Sequence, residues 1–199
     1  MARAPLARNL FRLLRPLAHT LLGLVFDRNF MTGRHFDHAF TGYRWCLQSF
    51  WTHQVLRLSH PAPWPKHHGC TVSVAENIVF HPDDLNNFQS PGTYFQNTAE
   101  SRIMIGRGTY IAPNVGIITL NHDPMNLQHH LPGQDVVIGD ACWIGMNAVI
   151  LPGVRLREHT TVAAGAVVTR SFDEPGLVIG GVPARILKRL PLASAGSSI

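Results

Sequence analysis

The tripeptide Asn121-His122-Asp123 sets an imidazole between an amide and a carboxylate, residue types that general acid–base chemistry uses. A histidine with an ordinary pKa of about 6.5 can take a proton from a weakly acidic hydroxyl as that hydroxyl attacks, which is worth about 10²–10⁴-fold in rate. One ring nitrogen must face the acceptor while a carboxylate or a carbonyl holds the other. Asp123, Asp135 and a backbone carbonyl of the same stretch are the candidates for that holding role. A developing oxyanion would need a donor, most simply a backbone N–H. Because the chain has 12 histidines, residue type alone does not single one out, and His122 stands apart only by its position. His129 and His130 follow closely, as solvated or acceptor-contacting side chains. Cys142 offers a thiol, the group of covalent catalysis.

The elements that must position these residues are set by internal repetition. Aliphatic residues recur at every sixth position, first at Ile105, Ile111 and Ile117, then at Ile138, Ile144, Ile150, Leu156, Val162 and Val168. The next position is small at Gly106, Ala112, Gly139, Gly145 and Ala163. Three residues after that comes another compact side chain, as at Thr109, Val115, Cys142, Ala148, Val154, Thr160 and Ala166. Helices repeat near 3.6 and ordinary strands at 2, so neither explains this period. It suits short flat strands meeting at tight corners, each strand pointing one aliphatic side chain inward, with small residues allowing the bend. The expected architecture is a triangular solenoid. Ile117 and Ile138 lie 21 positions apart, which is no multiple of the repeat, so a loop is inserted at about 123–137. His122 ends a repeat and opens that insertion, where a rigid scaffold carries function. Cys142 occupies an inward position, which predicts a buried, inert thiol.

Outside the repeat the pattern is looser. Leu6 to Phe26 spaces leucines in helical fashion among Arg8, Arg12 and Arg15, with Pro16 as a kink, and reads as an amphipathic helical pair. Its apolar face is expected on the protein's own body or a neighbouring subunit in preference to a membrane surface. Phe36 to Leu58 is aromatic-rich and reads as helical, ending at Pro61, Pro63, Trp64 and Pro65, a linker signature. Val72 and Ile78 carry the repeat's phase before an irregular stretch at 82–102. Residues 180–190 read as a turn and a short basic helix covering the last coil. Three parts result: a helical appendage and linker at 1–65, the solenoid at 66–180, and a C-terminal helix and tail at 181–199.

Composition bounds the function. Of 199 residues 45% are hydrophobic and 15% charged, which excludes a disordered chain. A net charge of +5 favours anionic partners. Three cysteines without a CxxC pair suggest neither a disulfide framework nor a four-thiolate metal site, and fit a reducing, cytoplasmic setting. The sequence shows neither an unbroken apolar span nor a secretory leader pattern.

The motifs Ile144-Gly145, Ile150-Leu151-Pro152-Gly153-Val154, Val162-Ala163-Ala164-Gly165-Ala166-Val167-Val168-Thr169 and Gly181-Val182-Pro183-Ala184-Arg185 resemble the hexapeptide-repeat acyltransferases, the match running over 103–190. With Asn121-His122-Asp123 leading into a loop, the chain is most similar to the maltose, galactoside and capsular-polysaccharide O-acetyltransferases. The resemblance implies an all-β solenoid, a left-handed parallel β-helix. It also implies a homotrimer, acetyl-CoA bound in clefts between subunits, and His122 as the catalytic base beside Asp123 and Trp143. By the same resemblance Met146 and Ala164 flank the pantetheine arm and Thr169 lies further along the groove. Arg185 and Lys188, three apart on the expected helix, meet the phosphates. Met146 and Arg157-Glu158 depart from the family pattern.

The acceptor implied is a carbohydrate hydroxyl, in a surface-polysaccharide precursor of capsule or lipopolysaccharide. Asn121 and the set Asn86, Asn87, Phe88, Tyr94, Phe95 and Asn97 either form its surface or fill and cap the first coils. Neither a metal nor a nucleic-acid partner is expected. The protein would work in the cytoplasm or at the inner membrane surface, with the N-terminal helix a candidate for peripheral contact. Other readings on this scaffold are serine or amino-sugar N-acetylation, a γ-type carbonic anhydrase and a non-catalytic assembly scaffold.

Overall fold

The computed structural model describes residues 4–191, with side chains from residue 13 onward. Leu6, Leu10 and Phe11 as side chains, and the tail 192–199, lie outside the described residues. Helix α1 spans Ala4–Leu22 with Pro16 inside it. The expected helical pair is thus a single helix, because a proline removes only one of the ladder's donors and the flanking turns carry the chain past it. Ala18 and Leu22 pack on the core. Leu13, Leu17 and Leu21 face outward and are 77%, 60% and 55% exposed, so only one stripe of the helix rests on the protein's own body. Helix α2, Thr41–Ser49, runs on into a wider π turn over Phe50–Val55. Its buried face carries Gly42, Tyr43 and Cys46. A Cβ at Gly42 would stand 2.6 Å from the Phe36 ring, so only glycine lets that ring close on the helix.

The run Pro61–Pro65, expected as a linker, is docked: the Asp27 N–H donates to the Pro63 carbonyl at 2.8 Å. Trp64 is 1% exposed. Its ring meets Phe30, Phe80 and Phe88 at centroid separations of 5.0, 4.9 and 5.2 Å. This aromatic plug fills the end of the coil that the helices cover, and the appendage shares one continuous core with the repeats.

The strands are short and follow one another around three parallel sheets. The opening coils are β1 (Thr71–Val72), β2 (Ile78–Val79) and β3 (Tyr94–Gln96), with a 3₁₀ segment at Pro82–Phe88 in between. Then come β4 (Ile103–Ile105), β5 (Tyr110–Ile111) and β6 (Gly116–Ile118). The inserted loop holds a small antiparallel pair, β7 (His122–Asp123) and β8 (Asn126–His130). The regular coils resume with β9 (Val136–Ile138), β10 (Trp143–Ile144) and β11 (Val149–Ile150). They continue through β12 (Arg155–Leu156), β13 (Thr161–Val162) and β14 (Val167–Val168) to a final hairpin, β15 (Leu177–Gly181) and β16 (Ala184–Arg189).

The first sheet has the order β1-β3-β6-β11-β14, the second β12-β9-β4-β2 and the third β16-β15-β13-β10-β5. From β4 to β14 the chain visits second, third and first sheet in rotation, and facing residues in the regular coils stand 18 apart, as in Val149 opposite Val167 and Trp143 opposite Thr161. Every predicted inward aliphatic from Ile105 to Val168 is buried. In the third sheet they stack as Ile111, Ile144, Val162 and Ile179. Each such side chain contributes about 1.5–3 kcal/mol by leaving water. Thr109, Cys142 and Thr160, in the second compact column, are buried at the corners.

The small position after each inward aliphatic has a different cause from the expected bend. A Cβ on Gly139 would lie 2.6 Å from the Glu158 backbone nitrogen, and one on Gly106 would lie 2.3 Å from the Gly139 carbonyl carbon. Small residues there let successive coils touch. The bend itself sits two residues later, where Gly108, Asn114, Ala141, Asn147, Gly153, His159 and Gly165 all adopt positive φ.

The C-terminal basic helix is not formed. Residues Ala184–Arg189 are strand β16, antiparallel to β15. The reason is the free edge of the last coil: its backbone groups need partners, and the turn at Gly181, with φ +97°, folds the chain straight back onto them. Arg185 and Lys188 therefore do not share a helical face.

Candidate active site

The insertion leaves the first sheet after β6 and returns to the second at β9, one coil corner away. Its base is tied by the Gln134 N–H to the Thr119 carbonyl at 2.7 Å and by the Leu131 N–H to the Asn121 carbonyl at 2.9 Å. Thr119 itself is buried, its hydroxyl 2.7 Å from that of Ser101 on the preceding coil. Rigid coils thus set the takeoff of β7, and the pairing of β7 with β8 carries His122 opposite His130. The loop spans less at its far end than expected, since Val136 and Val137 already belong to β9.

His122 is exposed. Its Nδ1 lies 2.8 Å from the Leu127 carbonyl oxygen. A carbonyl can only accept, so Nδ1 carries the proton and Nε2 keeps its lone pair. The His130 ring lies 4.1 Å away, centroid to centroid. Of the three candidates for holding the ring, the carbonyl is the one found. Asp123 accepts the Met125 N–H at 2.8 Å through Oδ1, and Asp135 accepts the Arg102 N–H at 2.8 Å. The Asp123 carboxylate closes the turn that brings Leu127 back over His122.

Trp143 opens β10 on the third sheet, 58% exposed, between Tyr110 and Thr161 of the adjoining coils. His122 and Trp143 thus leave the coil from different sides. Met146 and Ala164 are exposed at the next corner, linked by the Gly165 N–H to the Met146 carbonyl at 2.8 Å. Thr169 is exposed beyond β14, and Arg185 and Lys188 are exposed on β16.

The residues grouped as an acceptor surface divide. Asn97 is 3% exposed, its amide clamped on Val74, accepting from the N–H at 3.0 Å and donating to the carbonyl at 2.8 Å. Asn87 does the same for Ile111 and Thr109, and Phe88 and Phe95 are buried. These side chains are spent on joining coils. Asn86 accepts from the Arg34 guanidinium at 2.8 Å. Tyr94, 44% exposed, and Asn121 remain open to solvent. Arg34, which the sequence does not mark, also donates to the Tyr110 hydroxyl at 3.2 Å and the Asp83 carbonyl at 2.7 Å. Its backbone N–H, with Arg107 nearby, holds the Asp83 carboxylate below its ordinary range.

Burial pushes the Cys142 thiol up to about 11, which leaves it protonated and unsuited to attack. Among the described residues, no three His, Cys, Asp or Glu side chains are grouped so as to hold a metal ion. Sequence reasoning allowed for a carbonyl of this stretch without identifying it as that of Leu127, and it did not set the His130 ring beside His122. The stretch Asp123-Pro124-Met125-Asn126 carries a turn signature that could have revealed the hairpin and hence His130; a carbonyl has no residue signature.

Residues 135–170 match the family model described as bacterial transferase hexapeptide (six repeats). A Saccharomyces cerevisiae protein provisionally named an acetyltransferase is 37% identical over 130 residues, 61% of this chain and 65% of its own length. The galactoside O-acetyltransferase of Escherichia coli is 33% identical over 92 residues, 44% of each chain. An Escherichia coli protein provisionally named a lipopolysaccharide biosynthesis O-acetyl transferase, WbbJ, is 38% identical over 124 residues, 56% of this chain and 61% of that one. The matched regions thus span less than two thirds of these relatives. By its repeats and its relatives, this chain is similar to the hexapeptide-repeat acyltransferases.

Proposed function

We propose that this protein transfers an acetyl group from acetyl-CoA to a carbohydrate hydroxyl, with His122 as general base, on a left-handed β-helix assembled as a homotrimer. The observation that carries the reading is the imidazole itself, with Nδ1 on the Leu127 carbonyl and Nε2 left to accept a proton, in a loop held by rigid coils. Acetyl-CoA supplies an acyl group activated as a thioester. Exposed Met146 and Ala164 suit a pantetheine arm along a corner, with Arg185 and Lys188 as cations for the phosphates. His122 takes the acceptor's proton at Nε2 as the acceptor oxygen bonds the acetyl carbon, and returns it to the departing thiolate as the C–S bond breaks; the Leu127 carbonyl stabilises the imidazolium in between.

The names of the Escherichia coli relatives, a galactoside O-acetyltransferase and a lipopolysaccharide biosynthesis O-acetyl transferase, support a sugar of a surface polysaccharide as acceptor. His122 and Trp143 on different sides of one coil are complementary halves of a site formed where two subunits meet. Such an enzyme would act in the cytoplasm, where acetyl-CoA is made.

Thiol release from acetyl-CoA across a panel of glycans tests the reading. His122→Ala is expected to lose about 10²-fold or more in kcat, and a loss under about tenfold removes His122 as the base. Asp123→Asn, which keeps an acceptor for the Met125 N–H, is expected to stay within about threefold of the parent.

A further inference from the structure

Away from His122, where the appendage meets β1, lies a cavity of about 730 Å³. Its polar wall includes His53, Gln54, Arg57, Ser59, His60 and Lys66, and among the described residues no carboxylate lines it. Lys66 is 3% exposed. Its ammonium donates to the Cys70 carbonyl at 2.8 Å, to His53 Nε2 at 3.1 Å and to Ser59 Oγ at 3.2 Å. His53 accepts there because its Nδ1–H is committed to the Ser49 carbonyl at 2.7 Å. All three partners are neutral, so they satisfy the donors without balancing the charge, and a buried charge left unbalanced is costly. Burial accordingly lowers the pKa of both Lys66 and His53. Arg57 adds a second cation on the same wall and holds a left-handed backbone, φ 53°, unusual for its residue type. The adjoining groove shares Gln54 and His60 and brings one carboxylate, Glu76.

We infer that this cavity is a second binding site, for a small molecule bearing a phosphate group, whose negative charge balances Lys66 and Arg57. Its volume falls in the range of sites for whole organic ligands and leaves room beyond the phosphate for a sugar-sized body against Gln54 and Ser59. A guanidinium suits phosphate geometry, and a dianion answers two cations. The site is independent of the acetyl-transfer reading, since none of its residues belongs to the His122 loop or the terminal hairpin.

The test is thermal unfolding of the full chain in inorganic phosphate against chloride at matched ionic strength, repeated with glucose 6-phosphate and with glucose. Phosphate is expected to raise Tm saturably by about 3 °C beyond chloride. Arg57→Gln, an exposed change that keeps the fold, should abolish the rise, as should Lys66→Met, whereas Arg185→Gln should retain it. A lower half-saturation for glucose 6-phosphate than for phosphate, with glucose inert, identifies an organic ligand; equal values identify the free anion. Phosphate acting no better than chloride overturns the site. So does a parent-sized response in Arg57→Gln, or a response lost only in Arg185→Gln, which would assign the phosphate to the terminal hairpin.

Discussion

At the scale of single residues, the histidines divide by what surrounds them. His122 is exposed, with one nitrogen fixed and the other open. His35, His53 and His67 have pKa values pushed below the ordinary 6.5, first by burial, because charging them where they sit means losing water; at His35 this outweighs the opposing pull of Asp83. The consequence for stability has a definite sign. Between the depressed folded value and 6.5 the unfolded chain binds more protons, so unfolding is favoured as pH falls through that window and the full stability is present above it. The urea midpoint is expected to drop as pH goes from about 7.5 to about 5.5, and His53→Gln should flatten part of that slope. A midpoint that rises on acidification would contradict the assigned environments.

At the scale of elements, one coil side is six residues: an inward aliphatic, a small residue against the next coil, and a left-handed corner. The corner position is filled by glycine or asparagine at Gly108, Asn114, Asn147, Gly153 and Gly165, but by Ala141 and His159 in two coils. A Cβ in the left-handed region costs roughly 1–2 kcal/mol. Ala141→Gly relieves that strain at some expense in unfolded-chain entropy, so a net gain of about 0.5–1 kcal/mol is expected in denaturant unfolding. Gly139→Ala should do the reverse, losing about 2 kcal/mol or more, since the added Cβ meets the backbone of the Arg157-Glu158 corner, which cannot move without shifting a coil. Equal responses at the two positions would mean that corner strain and coil contact are not separate demands.

At the scale of the whole molecule, the coil has a plugged end and a paired end. Aromatic rings close the first, and β16 covers the edge of the last coil. Apolar side chains such as Leu13, Leu17, Leu21 and Trp51 face solvent on the helical appendage. No helix among the described residues is long and apolar enough to cross a membrane. If the proposed site is shared between subunits, His122→Ala and Trp143→Ala chains, each inactive alone, should recover about a quarter of parental activity when unfolded and refolded together in equal amounts, because random assembly makes that share of seams complete. Mixed chains that stay as inactive as their parents would place both side chains in one subunit's site, or the chemistry elsewhere.

The sequence by itself determined the coils, because their information is local: one aliphatic per side, every sixth residue, is the same demand repeated. It also determined that an insertion opens at His122 and that Cys142 points inward, since both follow from counting. Only the tertiary structure decided what depends on distant partners. The Leu127 carbonyl holds His122 because a hairpin folds back, Asn97 is spent on Val74 from an earlier coil, and residues 184–189 form a strand because an unpaired edge lies beside them. The cavity around Lys66 belongs to the same class: residues from the π turn, the docked proline run and β1 meet there, and nothing in their order along the chain announces that they will.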